Sequence, residues 1–181
     1  MFFAMLLFAG CGSDTDWMPL EEGRSWTYYV QTPAINRVET LRCEEPVRVG
    51  ATRGWKITSD AGVSKLAWSG SDLLASELLG TSYDPPLRLL DASSQTARWE
   101  YSGECQWGMT TAKITMTARQ APDKLRAGGQ DRSSILVTHE FTFDGKKHEL
   151  KTWYQLGLGV IRQEHRIDRR RVVALEWIGG K

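Results

Sequence analysis

Three histidines, three cysteines and scattered carboxylates are the residues through which this chain could do chemistry. His139, His148 and His165 lack the spacing that sets two imidazoles on one face of a helix. On strands they could still converge. His139 and His148 flank a candidate two-residue hairpin turn at Asp144-Gly145. Pairing Phe143 with Lys146 sets Glu149 opposite Glu140 and His148 opposite Phe141. His139 and His148 then miss each other by about two positions along their strands. That offset favours ordinary surface or core histidines, so no metal and no cofactor is expected. No Gly-x-Ser-x-Gly elbow occurs, which leaves a serine hydrolase without local support. Glu21-Glu22 and Glu44-Glu45 lie in or beside turns, and adjacent strand residues face opposite ways. Neither pair is expected to form an acid/base dyad, and the reading is that the chain is not an enzyme.

The remaining chemistry belongs to Cys11. The run Met1-Phe-Phe-Ala-Met-Leu-Leu-Phe-Ala-Gly-Cys11 is apolar and ends in two small residues and a thiol. It is too short to span a bilayer, which needs about 20 apolar residues, and has the length of an export-signal core. Phe8-Ala-Gly-Cys11 resembles the lipobox of bacterial lipoproteins. The resemblance implies cleavage before Cys11, a diacylglycerol on its sulfur and an acylated amino group. Two or more chains hold stably, at about 0.8 kcal/mol per buried methylene. Gly12, where Asp would favour the inner membrane in that family, implies the outer one. The expected organisation is a signal peptide over 1–10, a lipidated cysteine and tether over 11–16, and one β-rich domain over 17–181. The expected location is the bacterial cell envelope, anchored in the outer membrane and facing the periplasm. Five tether residues at about 3.5 Å each start the domain within roughly 20 Å of the lipid.

With Cys11 acylated, Cys43 and Cys105 remain, and an even pair in an oxidising compartment suggests a disulfide. The alternative is two separate reduced thiols in the core. A net charge of +1 gives no reason to expect a nucleic-acid partner. The one cationic cluster, Arg169-Arg170-Arg171, fits a hairpin tip in solvent, or one that reaches lipid phosphates.

The elements that must position these residues are strands. Ile114, Met116 and Ala118 alternate with Lys113, Thr115, Thr117 and Arg119, the period of a half-buried strand. The same period recurs at Trp26/Tyr28/Val30, at Ile135/Val137/His139/Phe141 and at Arg171/Val173/Leu175/Trp177. Turn signals separate the runs at Asp60-Ala-Gly62, Ser69-Gly-Ser-Asp72 and Ile167-Asp168-Arg169. Leu73–Leu79 fits either a short helix or a strand. The expectation is an all-β or mainly β chain, a curved antiparallel sheet forming an open or closed barrel of about ten or eleven strands. Tyr83–Asp91, with its double proline, is read as a connection between two halves rather than a central strand.

Two further stretches resemble bacterial lipoproteins of uncharacterised function. Met18-Pro-Leu-Glu-Glu-Gly-Arg-Ser-Trp-Thr-Tyr28 is similar to their opening after the tether. Thr152-Trp-Tyr-Gln-Leu-Gly-Leu-Gly-Val-Ile161 is similar to their Trp-Tyr-x-x-Gly-x-Gly-x-Val hairpin. The resemblance implies a curved antiparallel sheet like the incomplete barrel of the Lol lipoprotein carriers, and it transfers no functional residue. Eight tryptophans stand out, and they suit core packing or an aromatic-lined cavity. Trp68 and Trp153 are candidate ligand contacts. Leu87, Leu89 and Leu90 are candidates for an apolar flap at the mouth, or simply for closing the core. The expected partners are the membrane, through the lipid on Cys11, and a hydrophobic small molecule or an envelope protein.

Overall fold

The computed structural model describes residues 17–180, so the signal, Cys11 and the tether lie outside the described residues. Twelve strands follow one another: β1 (Ser25–Gln31), β2 (Asn36–Val49), β3 (Thr52–Ser59), β4 (Gly62–Ser69), β5 (Asp72–Leu78), β6 (Thr81–Asp91), β7 (Ala97–Trp107), β8 (Thr110–Ala127), β9 (Gln130–Phe143), β10 (Lys146–Gln155), β11 (Gly159–Ile167) and β12 (Arg170–Gly180). Each pairs antiparallel with its chain neighbours, and β1 pairs with β12 to close an up-and-down barrel. Among the described residues, each strand therefore has a neighbouring strand on both sides. Leu73–Leu79 resolves as strand, in β5.

The alternation seen in the sequence is the alternation between lumen and solvent. Trp26, Tyr28 and Val30 of β1 point inward, as do Ile114 and Met116 of β8 and Ile135 and Val137 of β9. The β9–β10 register is the one the Asp144-Gly145 turn predicts, with Phe143 opposite Lys146 and Phe141 opposite His148.

The Pro85-Pro86 stretch is a correction: it lies within β6, not in a connection. Proline has no N–H to give a ladder, and here the ladders give way around it. The β6–β7 pairing stops at Asp84–Glu104, and on the other side β5 skips from Leu87 to Ser82. Below the prolines, side chains join β6 to the strands beyond. Tyr101 donates to the Pro85 carbonyl at 2.9 Å, Trp99 Nε1 to that of Arg88 at 3.2 Å, and His139 Nε2 to the same oxygen at 3.0 Å. Gln120 accepts from the Asp91 amide at 3.0 Å and donates to the Asp91 carbonyl at 2.8 Å. Gln120 Nε2 also donates to the Ser94 carbonyl, and Gln120→Leu removes all three bonds from a buried position. It is expected to cost about 1–3 kcal/mol, read as a lower urea midpoint at unchanged slope.

On the outer wall, the tip of the β8–β9 hairpin runs past the end of β10 and folds over it. Leu125 and Ala127 pack with Trp153 and Ile161, and Arg132 lies over the Trp177 ring at 5.0 Å.

Candidate ligand-binding lumen

In a meander barrel the turns alternate between two ends. The β1–β2, β3–β4, β5–β6, β7–β8, β9–β10 and β11–β12 turns share one end, and both termini of the described chain lie at the other.

The end with the termini is shut. Met18 and Trp26 are buried there; Trp26 Nε1 donates to the Leu158 carbonyl at 2.7 Å, and Trp68 Nε1 to that of Met18 at 2.9 Å. Gly159 has φ +90°, and a Cβ there would come within 2.9 Å of the Met18 sulfur. Glycine is therefore required at 159 for both backbone and space. Tyr28 reaches the Val160 carbonyl at 2.8 Å.

The opposite end opens into a cavity of about 280 Å³, walled by Val30, Leu78, Leu87, Met116, Phe141 and Leu175 among others. It continues toward the shut end as a pocket of about 50 Å³ that shares Leu78, Leu150, Gln163 and Leu175 with it and adds Leu89. The lining is mostly apolar, with a few polar groups near the mouth. Glu39 is buried there, held by Arg37 (Nη2 at 2.9 Å, Nε at 3.1 Å) and by the Ala61 amide. A buried charge needs such partners.

Across the mouth stands a histidine pair. His148 Nδ1 and His165 Nε2 lie 3.0 Å apart, one donating and the other accepting. Phe141 stacks on His148 at 4.8 Å, and Trp107 meets both imidazoles, at 5.6 and 5.9 Å. Burial, and then the neighbouring His148, pull His165 down to about 4. Burial also lowers His148, against a hydrogen bond to the Phe143 backbone and the charge of Asp168. Both rings are therefore neutral near pH 7, and the pair adds hydrogen bonding to the mouth rather than charge.

No family model and no curated protein sequence matches the chain. Solved structures do. A Bacteroides fragilis protein named as exported, with a YmcC-like fold, superposes with a TM-score of 0.58 at 13% identity, over 89% of this chain and 96% of that one. A Parabacteroides distasonis protein named as a lipoprotein superposes equally well, with a TM-score of 0.58 at 10% identity, over 91% of this chain and 98% of that one. The chain has the YmcC-like fold.

Within this YmcC-like barrel the residues singled out in the sequence separate. Leu87 lines the cavity, Leu89 lines the narrow pocket beneath it, and Leu90 is fully buried in the wall. None of the three forms a flap. Trp68 sits at the shut end on Met18, and Trp153 is on the outer wall, its Nε1 donating to Asp123 Oδ2 at 2.7 Å. Neither tryptophan lines the cavity.

The disulfide is a correction. Cys43 and Cys105 are both buried and both free. Cys43 lies at the shut end, its amide bonded to Arg24, while Cys105 lines the cavity on a strand five places away. Burial pushes Cys43 up to about 11 and raises Cys105 as well, so both stay thiols and neither suits nucleophilic attack. The His148–His165 pair is the feature that sequence reasoning missed. Leu150 faces His165 across the β10–β11 ladder, and His148 reaches it diagonally. The β10–β11 hairpin also has a local turn, but the register shift between Trp153 and Tyr154 stands between that turn and the pair, and the sequence does not announce it.

Proposed function

We propose that this chain is a non-enzymatic, lipid-anchored envelope protein whose barrel holds one slim hydrophobic ligand, such as a single acyl chain. The observation that carries this reading is the apolar cavity open at one end and shut at the other. Ligand sites are typically concave, mainly apolar and furnished with a few fixed polar groups, at roughly 300–1,000 Å³. A cavity of about 280 Å³ lies at the small end of that range, hence a slim ligand. Arg37 and His165 near the mouth would face its polar head, and Gln163 lies deeper, where the cavity meets the narrow pocket. The lipobox resemblance supports anchoring at Cys11, in the outer membrane.

Titration with a fluorescent fatty acid tests the reading. Val173 lines the cavity, just outside the β1–β12 ladder that ends at Ala174, and Val173→Phe fills part of it. The variant should bind the probe about tenfold or more weakly, because overfilling a packed space forces side chains off their rotamers. Equal affinity for both proteins contradicts a lumenal site. The anchor has its own test. Metabolic labelling with palmitate should mark the wild type and not Cys11→Ser; an unlabelled wild type contradicts it.

A further inference from the structure

We infer that the mouth of the barrel is a docking surface for an anionic lipid bilayer. The inference stands on the rim of the barrel and holds whatever the lumen contains.

Among the described residues, four of the six exposed large apolar side chains lie at this end, and the other two, Leu156 and Ile178, lie at the shut end. Ile35 closes the β1–β2 turn, Val38 is the third residue of β2, Trp107 ends β7, and Met109 forms the β7–β8 tip, where it is wholly exposed. Pro33, Ala34 and Ile35 form an uncharged tip, and so do Gly108 and Met109. The two tips that lie between β1–β2 and β7–β8 around the barrel are cationic. The β9–β10 turn leads into Lys146 and Lys147, and the β11–β12 turn carries Arg169 and Arg170, with Arg171 next on the strand. Asp144 and Asp168 are the acids on these two tips, and Asp168 is occupied by the Lys147 amide at 3.0 Å. Around the rim the two cationic tips thus sit side by side between the two apolar ones, and the remaining β5–β6 and β3–β4 tips carry Leu79-Gly80 and Asp60.

Cationic tips flanked by apolar ones match a lipid surface. Exposed apolar tips rimming an opening mark an interaction site, and a bilayer interface offers apolar depth beneath a phosphate layer. Clustered Lys and Arg are drawn to the negative potential of anionic headgroups, within a Debye length of the surface. Met109 and Ile35 would enter the acyl boundary while Lys147, Arg169 and Arg170 meet phosphates. The chain enters the barrel through Trp17–Leu20 at the shut end, so this surface faces away from the tether.

The test is a site-specific depth measurement on the full chain carrying Cys11→Ser. Its two remaining native thiols are buried. An environment-sensitive fluorophore is placed on Met109→Cys or, at the shut end, on Leu156→Cys, an exposed apolar position. Vesicles of phosphatidylglycerol with brominated acyl chains should quench the label at 109 and leave the label at 156 unaffected. Neutral phosphatidylcholine vesicles should quench neither, and added salt should weaken the effect. Arg169→Glu with Arg170→Glu should raise the lipid concentration for half-quenching about tenfold or more. An unquenched label at 109, equal quenching at 156, or indifference to the arginine reversal would overturn the inference. So would self-association of the chain through Met109 that vesicles do not relieve, because the rim would then be an interface between copies.

Discussion

Trp26→Ala is expected to destabilise the barrel by about 3–5 kcal/mol, the range for deleting a fully buried aromatic side chain. Trp26 is 1% exposed and closes the shut end together with Met18 and Gly159. Its removal leaves a cavity lined by Met18, and it leaves the Leu158 carbonyl without the 2.7 Å bond from Nε1. Trp26→Phe keeps much of the volume and loses the bond, so it should cost less, about 1 kcal/mol for the bond plus the unfilled part of the ring. Urea unfolding monitored by circular dichroism distinguishes the two. Equal losses in both variants would mean that the indole N–H, and not the packing, holds the end shut.

The second large effect is acid destabilisation through His139. This imidazole is buried, its Nε2 donates to the Arg88 carbonyl, and its Nδ1 has no partner. Burial, opposed by the bond to Arg88, takes it down from its ordinary value to about 4. The direction follows from linkage. The folded-state value is depressed, so between about 6.5 and 4 the unfolded chain binds the proton and the folded chain does not. Stability is therefore present above pH 6.5 and lost as pH falls. Between pH 7 and 5 the loss from His139 is about 2 kcal/mol, in a range where most carboxylates remain charged. His165 shifts in the same direction and adds to it. His139→Gln should start less stable at pH 7 but lose less on going to pH 5. A variant with the wild-type slope would show that the acid sensitivity lies elsewhere.

Much of this fold was legible because a strand writes its two faces into alternate residues. Ile114, Met116 and Ala118 declared the lumen side of β8, and Asp144-Gly145 fixed the β9–β10 register. The sequence also left the barrel open or closed, because the β1–β12 pair joins residues from the two ends of the chain and has no local turn to announce it. The double proline misled for a related reason. It does forbid a continuous ladder, but the chain continues as β6 with Gln120, Tyr101 and His139 completing the join from other strands. The candidate site was legible only in part. Leu87 and Leu89 do face the lumen, yet alternation cannot tell a lumen residue at the shut end, such as Trp68, from one beside the cavity. Nor can it reveal that a hairpin tip will cover Trp153 on the outer wall.

The central claim is that the lumen holds one slim apolar molecule. Native mass spectrometry of the full chain purified from its own membranes tests it most directly. The account predicts a single apolar adduct per chain, present in the wild type and lost or sharply reduced in Val173→Phe. A wild type that carries no adduct, and that cannot be told from Val173→Phe after incubation with fatty acid, would contradict it.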